Sequence, residues 1–475
     1  MEASVQSHTF DEIDRLFQEQ RAHQQAIAQT SAKDRVQYLK QLRQALEYHQ
    51  SAIAHAIFQD FKKPEAETLL TEIYPLLKEI DHSIAHLAEW MRPHKVRSPL
   101  PYVGTRSWII YEPRGTCLIM APWNYPFQLA IGPMISALAA GNTVILKPSE
   151  LAPHTAEFIR QFIADLFPSH LVGVVLGGAE VAQYLTQLPF NHIFFTGSTA
   201  KGKLVMQAAA RNLTSVTLEL GGKSPTIVTT NADIHLAARR IAWGKFVNAG
   251  QTCIAPDYVL VDKSRVDEFL LTLTQHIEKF WGKPQEQHYP GRMTHIINQG
   301  HFNRLNHLLE EALTRGAKLV YGGNVDAHHQ FIAPTVLLNP PLDAPIMQEE
   351  IFGPILPIIP YASLAEALEI IHQRPTPLAL YIFSKKRKEI RFLLRHTRAG
   401  STAINDVMHQ FVNLELPFGG VNFSGIGKAH GFYGFRAFSN ERSVMQLPRK
   451  HLTDLVYPPY TKRILQMIRL TLKFF

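Results

Sequence analysis

The feature that most constrains this chain is the texture that begins after Tyr111, where short apolar runs alternate with helix-length amphipathic stretches. The runs cover 116–120, 143–146, 171–176, 192–195 and 215–220, and the spacing between them predicts helices over 127–140, 152–166 and 201–210. A strand that is apolar throughout has both faces covered, so this alternation implies an α/β fold with a parallel sheet between two helical layers. A second series follows, with strands at 225–228, 258–261, 379–383 and 402–404 and helices near 233–248, 266–280 and 302–315. Before Tyr111 the chain reads as helices. Leu69, Leu70, Ile73, Leu76, Leu77, Ile80, Ile84 and Leu87 recur at spacings of three and four, one buried stripe that Pro75 is expected to kink. Residues 93–101 form a proline-bearing break, and the stretch from Pro417 is rich in Gly and Phe before turning basic.

Composition narrows the function classes. At roughly 150 residues per domain, 475 residues suit about two to four domains. A chain with 46% hydrophobic and 19% charged residues is globular rather than disordered. The net charge of +8 is mild at this length and does not call for nucleic acid. Two cysteines, Cys117 and Cys253, exclude a disulfide framework and a Cys-based zinc site, and point to a reducing, cytoplasmic setting. The start Met-Glu-Ala-Ser-Val-Gln-Ser-His has neither a basic opening nor an apolar run, so no signal peptide is expected. No apolar run reaches the roughly 18 residues of a bilayer span.

Ligands of open parallel sheets sit beyond the carboxyl ends of the strands, which singles out three loops. In the first, 121–126, Asn124 offers an amide donor to a cleft, or caps the next helix. In the second, 146–150, Lys147 and Glu150 suit ribose hydroxyls, or form an ordinary exposed turn. In the third, Gly197, Ser198, Thr199, Ala200, Lys201 and Gly202 run from a strand into a helix, where glycine and N-terminal N–H groups can hold a pyrophosphate. It is neither a GxGxxG nor a P-loop pattern, and alone it reads equally as a strand-to-helix turn. Residues 424–431 are also glycine-rich, but follow no clear strand and open no clear helix, so a flexible loop is expected there.

The strongest local signal is a pair: Leu218-Glu219-Leu220-Gly221-Gly222-Lys223-Ser224-Pro225 and Asn248-Ala249-Gly250-Gln251-Thr252-Cys253. A carboxylate in an apolar run has a raised pKa and suits a general base, unless Glu219 is satisfied by Lys223. Cys253 follows a helix end and a glycine. It reads as a nucleophile that positive potential turns into a thiolate, or as a small buried hydrophobe, the reading adopted for Cys117. His82 and His86 are four apart, but without HExxH or a carboxylate cluster they read as solvated helix surface, and no metal is expected.

Taken together these pieces resemble the aldehyde dehydrogenase superfamily over 33–459, most specifically in Pro122-Trp123-Asn124, the Glu219 and Cys253 segments, and Glu349-Glu350-Ile351-Phe352-Gly353-Pro354. Cys253-Ile254-Ala255-Pro256-Asp257-Tyr258 and Leu416-Pro417-Phe418-Gly419-Gly420-Val421 resemble its class 3 branch of fatty and aromatic aldehyde dehydrogenases. The resemblance implies a Rossmann-like cofactor domain (1–95 and 112–220), an α/β catalytic domain (221–416), a small β bridging region for oligomerisation (96–111 and 417–450) and a basic-apolar tail (451–475). It implies NAD(P)-dependent oxidation of medium- or long-chain or aromatic aldehydes. Cys253 would be the nucleophile, carrying a thiohemiacetal and then a thioester, Asn124 the oxyanion donor and Glu219 the water-activating base. NAD or NADP would be held by Lys147 and Glu150 at the adenosine ribose, by 197–202 at the pyrophosphate, and by Glu350 and Phe352 at the nicotinamide ribose. A homodimer is implied as well.

The sequence departs from the pattern at three places. Lys201 replaces an aliphatic residue, Ala249 a frequent cysteine, and Asn422-Phe423 a smaller pair. Three rivals remain at this stage: a coenzyme A-acylating relative, which Glu219 disfavours; a catalytically silent binding protein on the same scaffold; and a cysteine hydrolase. The tail, with its mixture of Lys, Arg, Leu, Ile and Phe, suits a lipid interface or a partner subunit equally.

Overall fold

The computed structural model describes residues 7–99, 102–283 and 292–474. The reading of the N-terminal start falls largely outside these residues, as do Leu100, Pro101 and Phe475. Helices Phe10–Ala28 and Ala32–Tyr48 open the described chain, each started by a capping box (Thr9 with Glu12, Ser31 with Asp34) in which side chains satisfy the first orphan N–H groups.

The apolar stripe before Tyr111 does bury Ile73, Leu76, Ile80 and Leu87, but Leu70 is 53% exposed. Leu69–Ile73 forms a π-helical turn, and Tyr74–Trp90 starts a new helix with Pro75 in its first turn. The backbone stays helical through both, so the wide turn directly before Pro75 is the irregularity expected at the proline. The wide turn also changes the phase of the stripe, which frees Leu70 to line a cavity.

Six strands make the first sheet, in the order Val172–Val174, Thr143–Lys147, Thr116–Met120, His192–Gly197, Ser215–Leu220 and Gly425–Ile426. The first five are parallel, as the buried runs predict. The last is antiparallel, with Gly425 opposite Glu219. The glycine-rich segment 424–431 is therefore not a flexible loop: it contributes an edge strand and leads into helix Gly431–Ala437. Two residues of strand carry too little apolar pattern to be seen without their partner. Helix Gln128–Ala140 packs against this sheet with every residue but Leu129 buried. Each fully buried aliphatic side chain here contributes roughly 1.5–3 kcal/mol.

The second sheet has seven strands, in the order Lys318–Tyr321, Thr335–Leu338, Ile355–Tyr361, Tyr258–Asp262, Pro225–Val228, Ala379–Phe383 and Ser401–Ile404. All pairings but the first are parallel. Ile355–Tyr361 escaped the sequence reading because Pro357 and Pro360 disguise a buried strand. A third sheet is antiparallel and joins His94–Val96, Arg106–Pro113 and Ser439–Gln446. Residues 93–101 are thus not only a break, since a short strand lies within them.

Candidate active site

Cys253 stands after a turn that the backbone resists. Asn248, Ala249 and Gly250 all have left-handed φ, at 54°, 52° and 70°. Such a run survives only where surrounding bonds over-determine it. Asn248 Nδ2 donates to the carbonyls of Asn124 (2.9 Å) and Gln251 (3.1 Å), and its backbone N–H donates to Glu67 (3.0 Å). Gln251 Nε2 donates to the carbonyls of Asn248 and His295, and Gln251 Oε1 accepts from Ile297 N–H. A β-carbon on Gly250 would lie 2.4 Å from the Gly353 carbonyl oxygen, so only glycine fits. The loop is rigid before the sulfur begins.

Cys253 and Glu219 line one cavity of about 420 Å³, with mostly apolar walls that include Leu129, Trp243, Phe411 and Phe418. Asn124 is buried behind them, not in the cavity wall, and spends one amide N–H on the Gln251 carbonyl at 3.0 Å. Its other N–H remains for a second acceptor. Beside Cys253, Thr252 shares a hydrogen bond of 2.6 Å with Tyr125, whose ring lies under the buried Lys63 ammonium.

Glu219 is buried, and neither carboxylate oxygen has a hydrogen-bond partner. Lys223 does not satisfy it. That ammonium is held by Asp257 (2.5 Å) and by the carbonyls of Ile346 and Glu349. Burial raises Glu219 well above the usual carboxylate range, and only Lys428 pulls it back. Lys428 donates to the Gly419 and Gly420 carbonyls, and a β-carbon on Gly419 would come within 2.8 Å of Glu219 Oε1. The segment read as a flexible loop thus walls in the base.

In the chain alone, the surroundings of Cys253 favour the thiol over the expected thiolate. Burial pushes the Cys253 thiol up to about 12, and the carboxyl groups of Glu350 and Glu219 push in the same direction. Burial is the larger cause and the two acids add to it, where the sequence reading expected positive potential; the backbone N–H groups of Cys253 and Ile254 pull the other way. A thiol held this high needs a base to take its proton before it can attack. Lys245 is a further group that the linear reading missed. It is wholly buried, its Nζ has no hydrogen-bond partner, and burial pushes it down to about 8. A lysine in a mixed helical stretch gives no such signal in sequence.

The expected cofactor residues gather at the carboxyl ends of the first sheet and on one facing loop. Lys147 is buried at the end of its strand and pairs with Glu150 at 3.0 Å. Ser198 caps helix Thr199–Ala209 by accepting from Lys201 N–H, and Thr199 Oγ1 donates to the Phe423 carbonyl at 2.8 Å. Ala200 and Lys201 are exposed. A β-carbon on Gly202 would strike Leu220 at 2.7 Å, so glycine lets this helix close on the sheet. Phe423, the bulky departure, is covered by the Lys203 ammonium at 5.0 Å.

Glu350 lies against Gly221, where a β-carbon would overlap its carboxylate, and accepts from Gly222 N–H. Burial, then Asp257, raises it to about 8. Phe352 packs edge-on to Trp123 at 5.4 Å. A buried ammonium with a carboxylate, a helix N-terminus and the half-buried Glu350 carboxyl fit the ribose, pyrophosphate and nicotinamide ends of a dinucleotide. Thr196 Oγ1, buried and unpaired beside them, is consistent with that fit.

A doubly wound sheet with such a cradle, and a cavity containing one thiol and one unpaired carboxyl, define a cysteine-bearing dinucleotide oxidoreductase. The chain belongs to the aldehyde dehydrogenase family, whose sequence profile matches residues 2–444. It is 44% identical over 427 residues to the 4,4'-diaponeurosporen-aldehyde dehydrogenase of Staphylococcus aureus, covering 90% of this chain and 92% of that protein. It is 41% identical over 428 residues to the mouse aldehyde dehydrogenase described as dimeric and NADP-preferring, covering 90% of this chain and 93% of that one. Among solved structures, the substrate-bound state of Staphylococcus aureus AldH superposes with a TM-score of 0.92 at 41% identity, covering 97% of this chain and 99% of that one. The protein is an NAD(P)-dependent oxidoreductase acting on aldehydes.

Proposed function

We propose that Cys253, Glu219 and Asn124 carry the oxidation, on apolar aldehydes with a medium or long aliphatic chain or an aromatic ring. The observation that carries this reading is one thiol and one unpaired buried carboxyl facing the same apolar cavity. The Cys253 sulfur attacks the carbonyl carbon as its proton passes to a neighbouring base. The free N–H of Asn124 and the backbone N–H of Cys253 hold the oxyanion. Lys147, Glu150, residues 197–202, Glu350 and Phe352 would hold NAD(P), which would supply the hydride acceptor. Cys253 then carries the acyl group as a thioester. Glu219 takes a proton from water, the hydroxide adds to the acyl carbon, and the thiol leaves with the carboxylic acid released.

Purified protein should reduce NAD or NADP with decanal or benzaldehyde, and Cys253→Ala should abolish this. Turnover that survives the substitution would remove the thiol from the mechanism. Adding coenzyme A separates the acylating rival: acyl-CoA as the main product would displace Glu219 from its role.

The same reading divides the chain into a cofactor part (1–95 and 112–220), a catalytic part (221–416) and a bridging part (96–111 and 417–450), in a cytoplasmic homodimer. The antiparallel sheet supports the bridging role, since Ser439–Gln446 is an edge strand that exposes its own Met445. A stable monomer by light scattering would refute the dimer. Among the described residues no helix is long and apolar enough to cross a membrane. Helix Lys462–Phe474 exposes Leu465, Leu470 and Leu472 among Lys462, Arg463, Arg469 and Lys473, which supports a peripheral lipid contact. Deleting residues after Tyr460 should end flotation with anionic liposomes, and unchanged flotation would exclude the contact.

A further inference from the structure

His82 and His86 are not the solvated surface that the sequence suggested. They lie one turn apart on helix Tyr74–Trp90, half-buried, with ring centroids 5.6 and 6.0 Å from Trp90. Glu415 reaches them from the segment between Phe411 and Phe418. One nitrogen from each ring and one oxygen of Glu415 all lie within 4.8 Å of one another, and His82 Nδ1 is 3.8 Å from Glu415 Oε1.

The rings are oriented as ligands. His86 Nδ1 sits 2.9 Å from the His82 carbonyl. A carbonyl only accepts, so Nδ1 carries the hydrogen and Nε2 presents its lone pair. An N–H bonded to a carbonyl is the contact that fixes the tautomer of metal-binding histidines. On His82, Nε2 is turned toward Gly431, where an added β-carbon would lie 3.1 Å away, which leaves Nδ1 on the Glu415 side.

We propose that His82, His86 and Glu415 form a binding site for Zn²⁺ or a similar divalent transition metal, separate from the aldehyde site. Two imidazoles and a carboxylate are a ligand set that such metals take, with water completing the shell. Ligand atoms about 2.0–2.2 Å from a tetrahedral zinc are roughly 3.3 Å apart, so separations of up to 4.8 Å close by up to about 1.5 Å. The Glu415 side chain is 76% exposed and has room to move in, and rotation of the half-buried rings brings the nitrogens together.

The position has a consequence. The helix gives Tyr74, Pro75 and Glu79 to the aldehyde cavity, and the Glu415 segment is flanked by Phe411, Val412 and Phe418 of the same wall. A bound metal would clamp the two sides together and narrow the passage for bulky aldehydes. The site rests on its own geometry and does not depend on the catalytic roles given above.

Zinc also binds thiols, so the test uses the full-length Cys253→Ser protein. Calorimetric titration with zinc chloride should show one saturable site per chain, and cobalt(II) should give a visible ligand-field spectrum. His86→Ala and Glu415→Gln should each weaken zinc binding by at least ~10-fold and remove the cobalt spectrum. Glu415→Gln changes an exposed side chain and serves as the variant whose fold is undisturbed, checked by an unchanged melting temperature. Absence of saturable binding overturns the proposal. So does binding that is the same in both variants, which would place the metal elsewhere among the 23 histidines.

Discussion

At the scale of single residues, the site is governed by raised pKa values. Burial raises Glu219 well above the ordinary range, Glu350 to about 8 and Cys253 to about 12. Glu219 must lose its proton to act as a base and Cys253 to act as a nucleophile, so kcat/KM should rise as pH is raised from about 6 to about 9. Initial rates across that range check this, and a falling profile would contradict it. Lys428 is the one cation that lowers Glu219. Lys428→Met should therefore move the rising limb to higher pH, and a limb that stays in place would show that Glu219 does not set it. Stability follows the same groups with a definite sign. An unfolded glutamate ionises near 4.5 and Glu350 in the folded chain near 8, so across that window the folded state keeps a proton the unfolded state has lost. Stability then falls as pH rises through the window. Glu350→Gln should lose less of its melting temperature between pH 5 and pH 8 than the parent, as followed by calorimetry.

At the scale of elements, the nucleophile depends on a turn that its own backbone disfavours. Gly250→Ala forces a β-carbon into the Gly353 carbonyl at a φ of 70°, and displacement of the thiol by about 1 Å costs on the order of 100-fold in rate. Activity at near-parental level in that variant would mean that the turn is not what positions Cys253. Elements with their own pattern were legible in sequence: the strands Thr116–Met120 and Ser215–Leu220 fall where apolar runs put them, and Glu219 and Cys253 share a cavity as their segments suggested. What stayed hidden depends on partners distant in the chain. Gly425–Ile426 is a strand only because Ser215–Leu220 lies beside it, and Lys223 turned to Asp257 because the second sheet brings that carboxylate within reach. Charge state was hidden for the same reason, since the acids around Cys253 come from positions 219 and 350.

At the scale of the whole molecule, the C-terminal segment binds the parts together. Between 417 and 446 it adds an edge to the first sheet, places Lys428 and Gly419 around Glu219, and pairs along the full length of Arg106–Pro113. Removing residues after Tyr460 touches none of these contacts and should leave turnover in solution intact. Removing everything after Phe438 strips Ser439–Gln446 from Arg106–Pro113, leaving only the short His94–Val96 beside it, and should abolish the dimer, as read by light scattering.

The central claim is that Cys253 carries the acyl group and Glu219 releases it. Intact-mass spectrometry of Glu219→Gln, mixed with decanal and NAD, tests it most directly. The expected result is a single burst of reduced cofactor, about one per subunit, and a decanoyl adduct on Cys253 that persists because no base activates water. Steady turnover at the parental rate, or an adduct on any other residue, would contradict it.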